Sequence, residues 1–290
     1  MLAIPPLLSA ALLVPALRAL PPASDHGDTP LLNAIARPDA KITDLYAFVR
    51  GRDLVLAVCL NPAIPNSLTS YAWPSDVTVR IHVDHRSRVR FDDPADLATY
   101  GGTIDRPERV RSLARIVVTA DTAGIAHLSA DGIDLGTQSP NVQFFAGLRD
   151  DPFIRGPRIG RNVAAIVVQF PVDEIVGRHR SLLVWATSSI EGRPEPFQDL
   201  AGRSLRSMFV ENDFMNTSVP ADHFRLHGAV PDVLIYDPER PAVFPNGREL
   251  EDDVVDLVGH AGTLANDAPF PSMNDVPFLP GFPYLAPPQP

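Results

Sequence analysis

The 290-residue sequence is poor in lysine and cysteine: Lys41 and Cys59 are its only representatives of the two types. A lone cysteine cannot form an intramolecular disulfide, so the stapled small-domain folds are excluded, and stability has to come from core size or bound ions. Cys59 lies in the apolar run Leu54-Val-Leu-Ala-Val-Cys59-Leu60 with no basic neighbour, which reads as core packing and not as a nucleophile. The chain also lacks a Gly-x-Ser-x-Gly elbow, a phosphate-binding loop ending in Lys-Ser/Thr, a Cys-x-x-Cys pair and a dinucleotide fingerprint. These absences weaken the common enzyme classes and leave open a site dispersed along the chain. The net charge of −10 argues against a nucleic-acid partner.

Long hydrophobic runs are equally scarce. Leu2 to Leu17 is apolar apart from Ser9 and is followed by Arg18. It is broken by Pro5, Pro6 and Pro15 and falls short of the ~20 residues of a spanning helix. Residues 1–23 therefore read as a signal peptide or N-terminal apolar leader, with no transmembrane helix in the mature chain. A signal peptide implies a secreted or periplasmic protein. A leader that is not one implies a cytoplasmic protein.

What the chain has in abundance is proline and glycine, 31 and 18 residues, alongside 45% apolar residues. Proline lacks the amide donor and clashes one turn back in a helix, so this composition points to many short strands and ordered loops around a real core. We expect a mainly β fold: a single β-rich, sandwich-like domain over residues 24–290, with a few short helices. Residues 44–49 alternate, with Leu45, Ala47 and Val49 opposite Asp44, Tyr46 and Phe48. After a turn at Arg50 to Asp53, Leu54 to Leu60 has the continuous apolar character of a strand buried on both faces. Val77 to Asp84 places Val77, Val79, Ile81 and Val83 inward and Thr78, Arg80, His82 and Asp84 outward. Further strands are expected at Arg115 to Thr119, Ile125 to Ser129, Ala164 to Phe170 and Leu182 to Thr187. Helices are expected at Pro94 to Tyr100, Val172 to Gly177, Pro196 to Phe209 and Glu251 to Leu257. The last has an acidic first turn and an apolar stripe of Val254, Val255, Leu257 and Val258. From Asp267 onward the chain is proline-rich with Phe270, Phe278, Phe282 and Tyr284 interleaved, a composition expected to wrap back over the sheet because aromatic rings gain by burial.

Four segments occur in order: Asp25-His-Gly-Asp-Thr-Pro30 with Ile42 to Phe48, Gly147-Leu-Arg-Asp-Asp-Pro-Phe153, Phe244 to Asp256, and Asn274 to Leu285. Together they resemble the bacterial domain-of-unknown-function family 4331 (DUF4331), over essentially Asp25 to the C-terminus. The resemblance supplies no activity, substrate or cofactor. It implies that the strand ending at Asp84 leads into an Asp/Asn-rich, calcium-competent turn. Here that turn is Asp84-His-Arg-Ser-Arg-Val-Arg90, in which arginines replace the acidic ligands.

Three His/Asp groupings bear on chemistry. His26-x-Asp28 points two side chains the same way on an extended arm, a plausible metal pair to be completed by Asp44; the plainer reading is an arm docked by hydrogen bonds. His82, Asp84 and the pair His223/His227, four apart within Asp222-His-Phe-Arg-Leu-His227, are the catalytic candidates, since imidazole titrates near neutral pH. A helix carrying that pair has barely two turns between Pro220 and Pro231. Arg149, Asp150, Asp151, Arg248, Asp252 and Asp253 sit among apolar and turn residues and read as structural arginine–carboxylate pairs. The leading expectation is an exported binding or structural module for a small molecule or surface component, holding a divalent cation (calcium or zinc) near His26, Asp28 and Asp44. The alternative is an enzyme with a dispersed His/Asp site, either a metal-assisted hydrolase or oxygenase, or a cyclase or isomerase acting in an apolar pocket.

Overall fold

The structure, a computed structural model, describes residues 29–133, 135, 141–154, 160–176, 179–205, 213–259 and 272–290. The leader, His26, Asp28 and Phe270 lie outside them. The described chain runs α1 (Pro30–Ala34), β1 (Ile42–Arg50), β2 (Asp53–Ile64), β3 (Val77–Asp84), β4 (Val89–Arg90), α2 (Pro94–Tyr100) and β5 (Thr103–Ile104). It continues through β6 (Ala114–Ala120), β7 (Ala126–Asp131), β8 (Gln143–Asp150), β9 (Asn162–Pro171), β10 (Leu182–Ile190) and β11 (Asp199–Ala201). The last elements are α3 (Asp213–Asn216), α4 (Pro220–His227), β12 (Leu234–Tyr236) and α5 (Val254–Gly259).

The strands form a mainly β sandwich. One sheet has the order β1-β2-β9-β8, and the other β11-β10-β3-β6-β7, with β12 pairing β10 beside β11. Every pairing is antiparallel. Alternation explains the layers. Leu54, Leu56, Val58 and Leu60 of β2 and Ile166 and Val168 of β9 meet Val79, Ile81 and Val83 of β3 in the central core. Val55, Ala57 and Cys59 of β2 and Val163, Ala165 and Val167 of β9 point to the opposite face, under a second apolar layer. The unbroken apolar runs thus have two buried faces.

The C-terminal segment supplies that second layer, as its composition predicts. Tyr284 and Leu285 are buried against Tyr46 and Phe48, with Phe278 and Phe282 packed alongside. Each fully buried side chain of this size stabilises by about 1.5–3 kcal/mol. At its end, Gln289 exchanges hydrogen bonds with Asn162 (2.8 and 3.1 Å) and donates to Asp150 at 2.9 Å. Asn274 Nδ2 donates to the other Asp150 oxygen at 2.6 Å. Burial pushes the Asp150 carboxyl up to about 7, against the lowering effect of these two donors.

Two expected helices are corrected. Pro196 to Phe209 does not form as one helix, because Asp199–Ala201 is strand β11, paired with Ala186 to Ser188. Asp199 there accepts hydrogen bonds from Ile42 N (2.8 Å) and Thr29 Oγ1 (3.2 Å), partners a helix would not offer. Residues 206–212 lie outside the described set. The Val172 helix shrinks to one 3-10 turn, Val172–Glu174. Helix α5 starts three residues later than expected, since Asp253 accepts Asp256 N–H at 3.1 Å and serves as its N-cap. Leu257 is exposed and not part of a buried stripe. Strand β8 was not anticipated. Its Gly147 reads as a strand breaker, but Phe145 leans over it, with Cζ only 3.0 Å from where a Cβ would sit, and Arg149 stacks on the Phe145 ring at 4.0 Å.

The free edge of β1 is closed by residues 246–248. Gly247 adopts φ +68°, and a Cβ there would lie 2.5 Å from the Ala47 carbonyl oxygen. Only glycine fits. Its amide donates to Ile235 of β12 (2.8 Å), and Arg248 makes two backbone bonds with Ala47 (3.0 and 3.2 Å). The Arg248 side chain, fully buried, pairs with buried Asp44 at 3.1 Å and lies 4.1 Å over the Tyr46 ring. Removing one partner of a buried pair leaves an uncompensated charge. We expect Arg248→Met to lose about 3–5 kcal/mol in chemical denaturation, and adding Asp44→Asn to recover part of it. A loss under ~1 kcal/mol would show that the pair does not hold the edge.

Candidate functional site

The outward face of β3 carries two of the catalytic candidates, His82 and Asp84. The His82 ring stacks on Trp185, centroids 5.1 Å apart and planes 8° from parallel. Its Nδ1 lies 2.9 Å from Ser112 Oγ and its Nε2 2.8 Å from Thr187 Oγ1. Burial, reinforced by Arg80 and Arg115, pushes its pKa down to about 3. A base that weak takes a proton from substrate poorly at neutral pH.

Asp84 is buried and fully engaged. One oxygen accepts the Arg86 and Ser87 amides, both at 2.9 Å. The other accepts Ser87 Oγ at 2.8 Å and Arg111 N at 3.0 Å. The carboxylate therefore organises the turn after β3 and ties it to the start of the segment leading into β6. It has no lone pair to spare for a metal.

Around that turn opens a cleft of about 510 Å³. Arg86 and Arg88 line it from the turn, and Arg106, Arg109 and Arg111 from the segment before β6. The β4–β5 ribbon, in register Val89↔Ile104, brings the two groups together. Asp105 is shared by Arg90 (2.6 Å) and Arg88 (3.5 Å), while Arg109 has exposed Glu108 at 3.9 Å. Among the described residues, Arg86, Arg106 and Arg111 have no carboxylate within ion-pair distance. Five arginines face two aspartates, Asp84 and Asp105. Guanidinium offers only donors and cannot ligate a metal, and its planar fork matches carboxylate and phosphate oxygens. The lining of the cleft is thus rich in donors and carries a positive excess.

Among the described residues, the remaining candidates do not join this site. His223 is buried; its Nδ1 accepts Asp232 N–H at 3.1 Å and its Nε2 faces the Met215 and Ser218 carbonyls, both at 3.0 Å. Both nitrogens of this catalytic candidate are thus occupied in tying α3 to α4, and the His227 side chain lies outside the described set. Asp44 has the guanidinium of Arg248 as its cation. Of the expected ion pairs, Arg248 pairs with Asp44, whereas Arg149 has no carboxylate partner among the described residues and rests on Phe145. Asp151 accepts Phe153 N at 3.1 Å, and Asp252 accepts Phe244 N and Glu249 N at 3.0 and 2.8 Å. These carboxylates, with Asp150 and Asp253, shape loops through amide donors. Among the described residues, no group of three His, Cys, Asp or Glu side chains is placed to hold a metal ion.

No protein-family model matches the chain, and no curated protein or solved structure matches it. No described helix is long and apolar enough to cross a membrane.

The arginines escaped the sequence reading as a site because each run, Arg86 to Arg90 and Arg106 to Arg111, reads alone as a solvated turn. His82 supplies the check on this geometry: in an NMR titration its ring should keep the neutral-form shifts from pH 8 down to pH ~4.5. Protonation near pH 6.5 would mean an open, solvated imidazole and would return it to the catalytic candidates.

Proposed function

We propose that this chain is a binding module whose ligand is an oxyanion held in the arginine-lined cleft. The observation that carries this reading is three guanidiniums without carboxylate partners among the described residues, around a 510 Å³ opening in a protein of net charge −10. Acidic side chains are plentiful, so arginines left unpaired in one place favour an incoming anion. The apolar leader supports an extracytoplasmic setting, where the anion belongs to a small molecule or a surface component. A divalent cation near His26, Asp28 and Asp44 has less support, because Arg248 already neutralises Asp44. An enzyme using His82, Asp84, His223 and His227 also has less support, since the first three have their polar atoms engaged within the fold. The likeness to family 4331 adds no activity to either reading.

Inorganic phosphate at a hundredfold excess over its Kd should stabilise the protein by about 2.7 kcal/mol, seen as a raised Tm. The double variant Arg106→Gln, Arg111→Gln, altering two exposed side chains, should melt normally and lose the phosphate response. An unchanged Tm in phosphate, or full stabilisation of the double variant, would sink the proposal.

A further inference from the structure

The cleft has a neighbour. A smaller recess of about 170 Å³ is lined mainly by Tyr100, Ile104, Pro107, Phe224 and Pro231, with Asp96, which accepts the Thr103 hydroxyl, as its charged member. The two openings share one stretch of backbone: Asp105 and Arg106 face the cleft, while Ile104 and Pro107, their immediate chain neighbours, face the recess. The two linings therefore meet along residues 104–107. Phe224 contributes to the recess from α4 while remaining 45% exposed. An apolar cavity of about 150 Å³ is enough to take a benzene ring. The recess therefore has the size and lining for one aromatic ring beside a site for charge.

The charge of the site narrows the anion. Five arginines against Asp84, Asp105 and the Glu108 carboxylate beside Arg109 leave two positive charges in excess. A carboxylate or sulfate ester brings one negative charge, whereas a phosphomonoester brings about two near neutral pH and three acceptor oxygens that suit paired guanidinium forks. Resting on the binding reading above, we infer that the ligand is a phosphomonoester carried on an aromatic body. The phosphate sits among Arg86, Arg106 and Arg111, and the ring sits against Pro107 and Phe224.

Calorimetric titration at low salt with 3-phenylpropyl phosphate, whose flexible linker joins ring and phosphate, tests this against inorganic phosphate and 3-phenylpropyl sulfate. The phenylpropyl phosphate should bind at least tenfold tighter than either. Phe224→Ala, a truncation of a half-exposed side chain, should reduce it to the affinity of inorganic phosphate and leave inorganic phosphate unchanged. Equal affinities for the two phosphates would overturn the aromatic component while leaving the anion cleft intact. A sulfate as tight as the phosphate would overturn the charge assignment. An advantage that survives Phe224→Ala would overturn the placement of the ring. Binding of none of the three would overturn both this inference and the reading on which it rests.

Discussion

The fold depends on burying one arginine. Arg248 is among the largest fully buried side chains, and its ion pair with Asp44 joins the chain's C-terminal third to the first strand. The neighbouring backbone closes what would otherwise be an unpaired strand edge on β1, while Gly247 reaches across to β12 of the other sheet. Leu250, two residues on, then enters the apolar layer outside β1 and β2, where Tyr284 and Leu285 also pack. A sheet with two apolar faces needs both covered. The central core covers one, and the segments anchored through Arg248 and Asp150 cover the other. Removing either partner of the Arg248–Asp44 pair would leave a costly buried charge, whereas Asp150 is held by amide donors.

Much of this was legible because period-two alternation reports burial directly. Val77, Val79, Ile81 and Val83 point inward in the sequence pattern and in the structure, and the run from Leu54 to Leu60 is buried on both faces as its lack of alternation implies. Alternation says nothing about what fills the outward face, however. His82 and Asp84 read as half of a solvent-facing set, yet both are buried under Trp185, Ser112 and the arginine turn. Short strands were also hidden. Residues 199–201 gain their identity from pairing with β10, and β8 keeps its pleat through the Phe145 ring over Gly147. Such tertiary effects leave no local signature.

The candidate site shows the same division between local and distant information. The basic turn Asp84-His-Arg-Ser-Arg was visible in the sequence and already spoke against calcium. What it creates depends on a second arginine run some twenty residues on, which only the β4–β5 ribbon brings alongside. Asp84 then acts as an internal anchor for both segments, and its charge is spent on amides instead of a metal. Guanidiniums are donors only, so a turn lined by them offers a cation no ligand.

The central claim is therefore one of sign: this cleft takes an anion and not a cation. Tungstate, a heavy oxyanion, tests it directly by anomalous scattering from a soaked crystal of the whole chain. The account predicts a peak among Arg86, Arg106 and Arg111. A cleft left empty by tungstate, or one that instead concentrates a divalent cation beside Asp84, would contradict it.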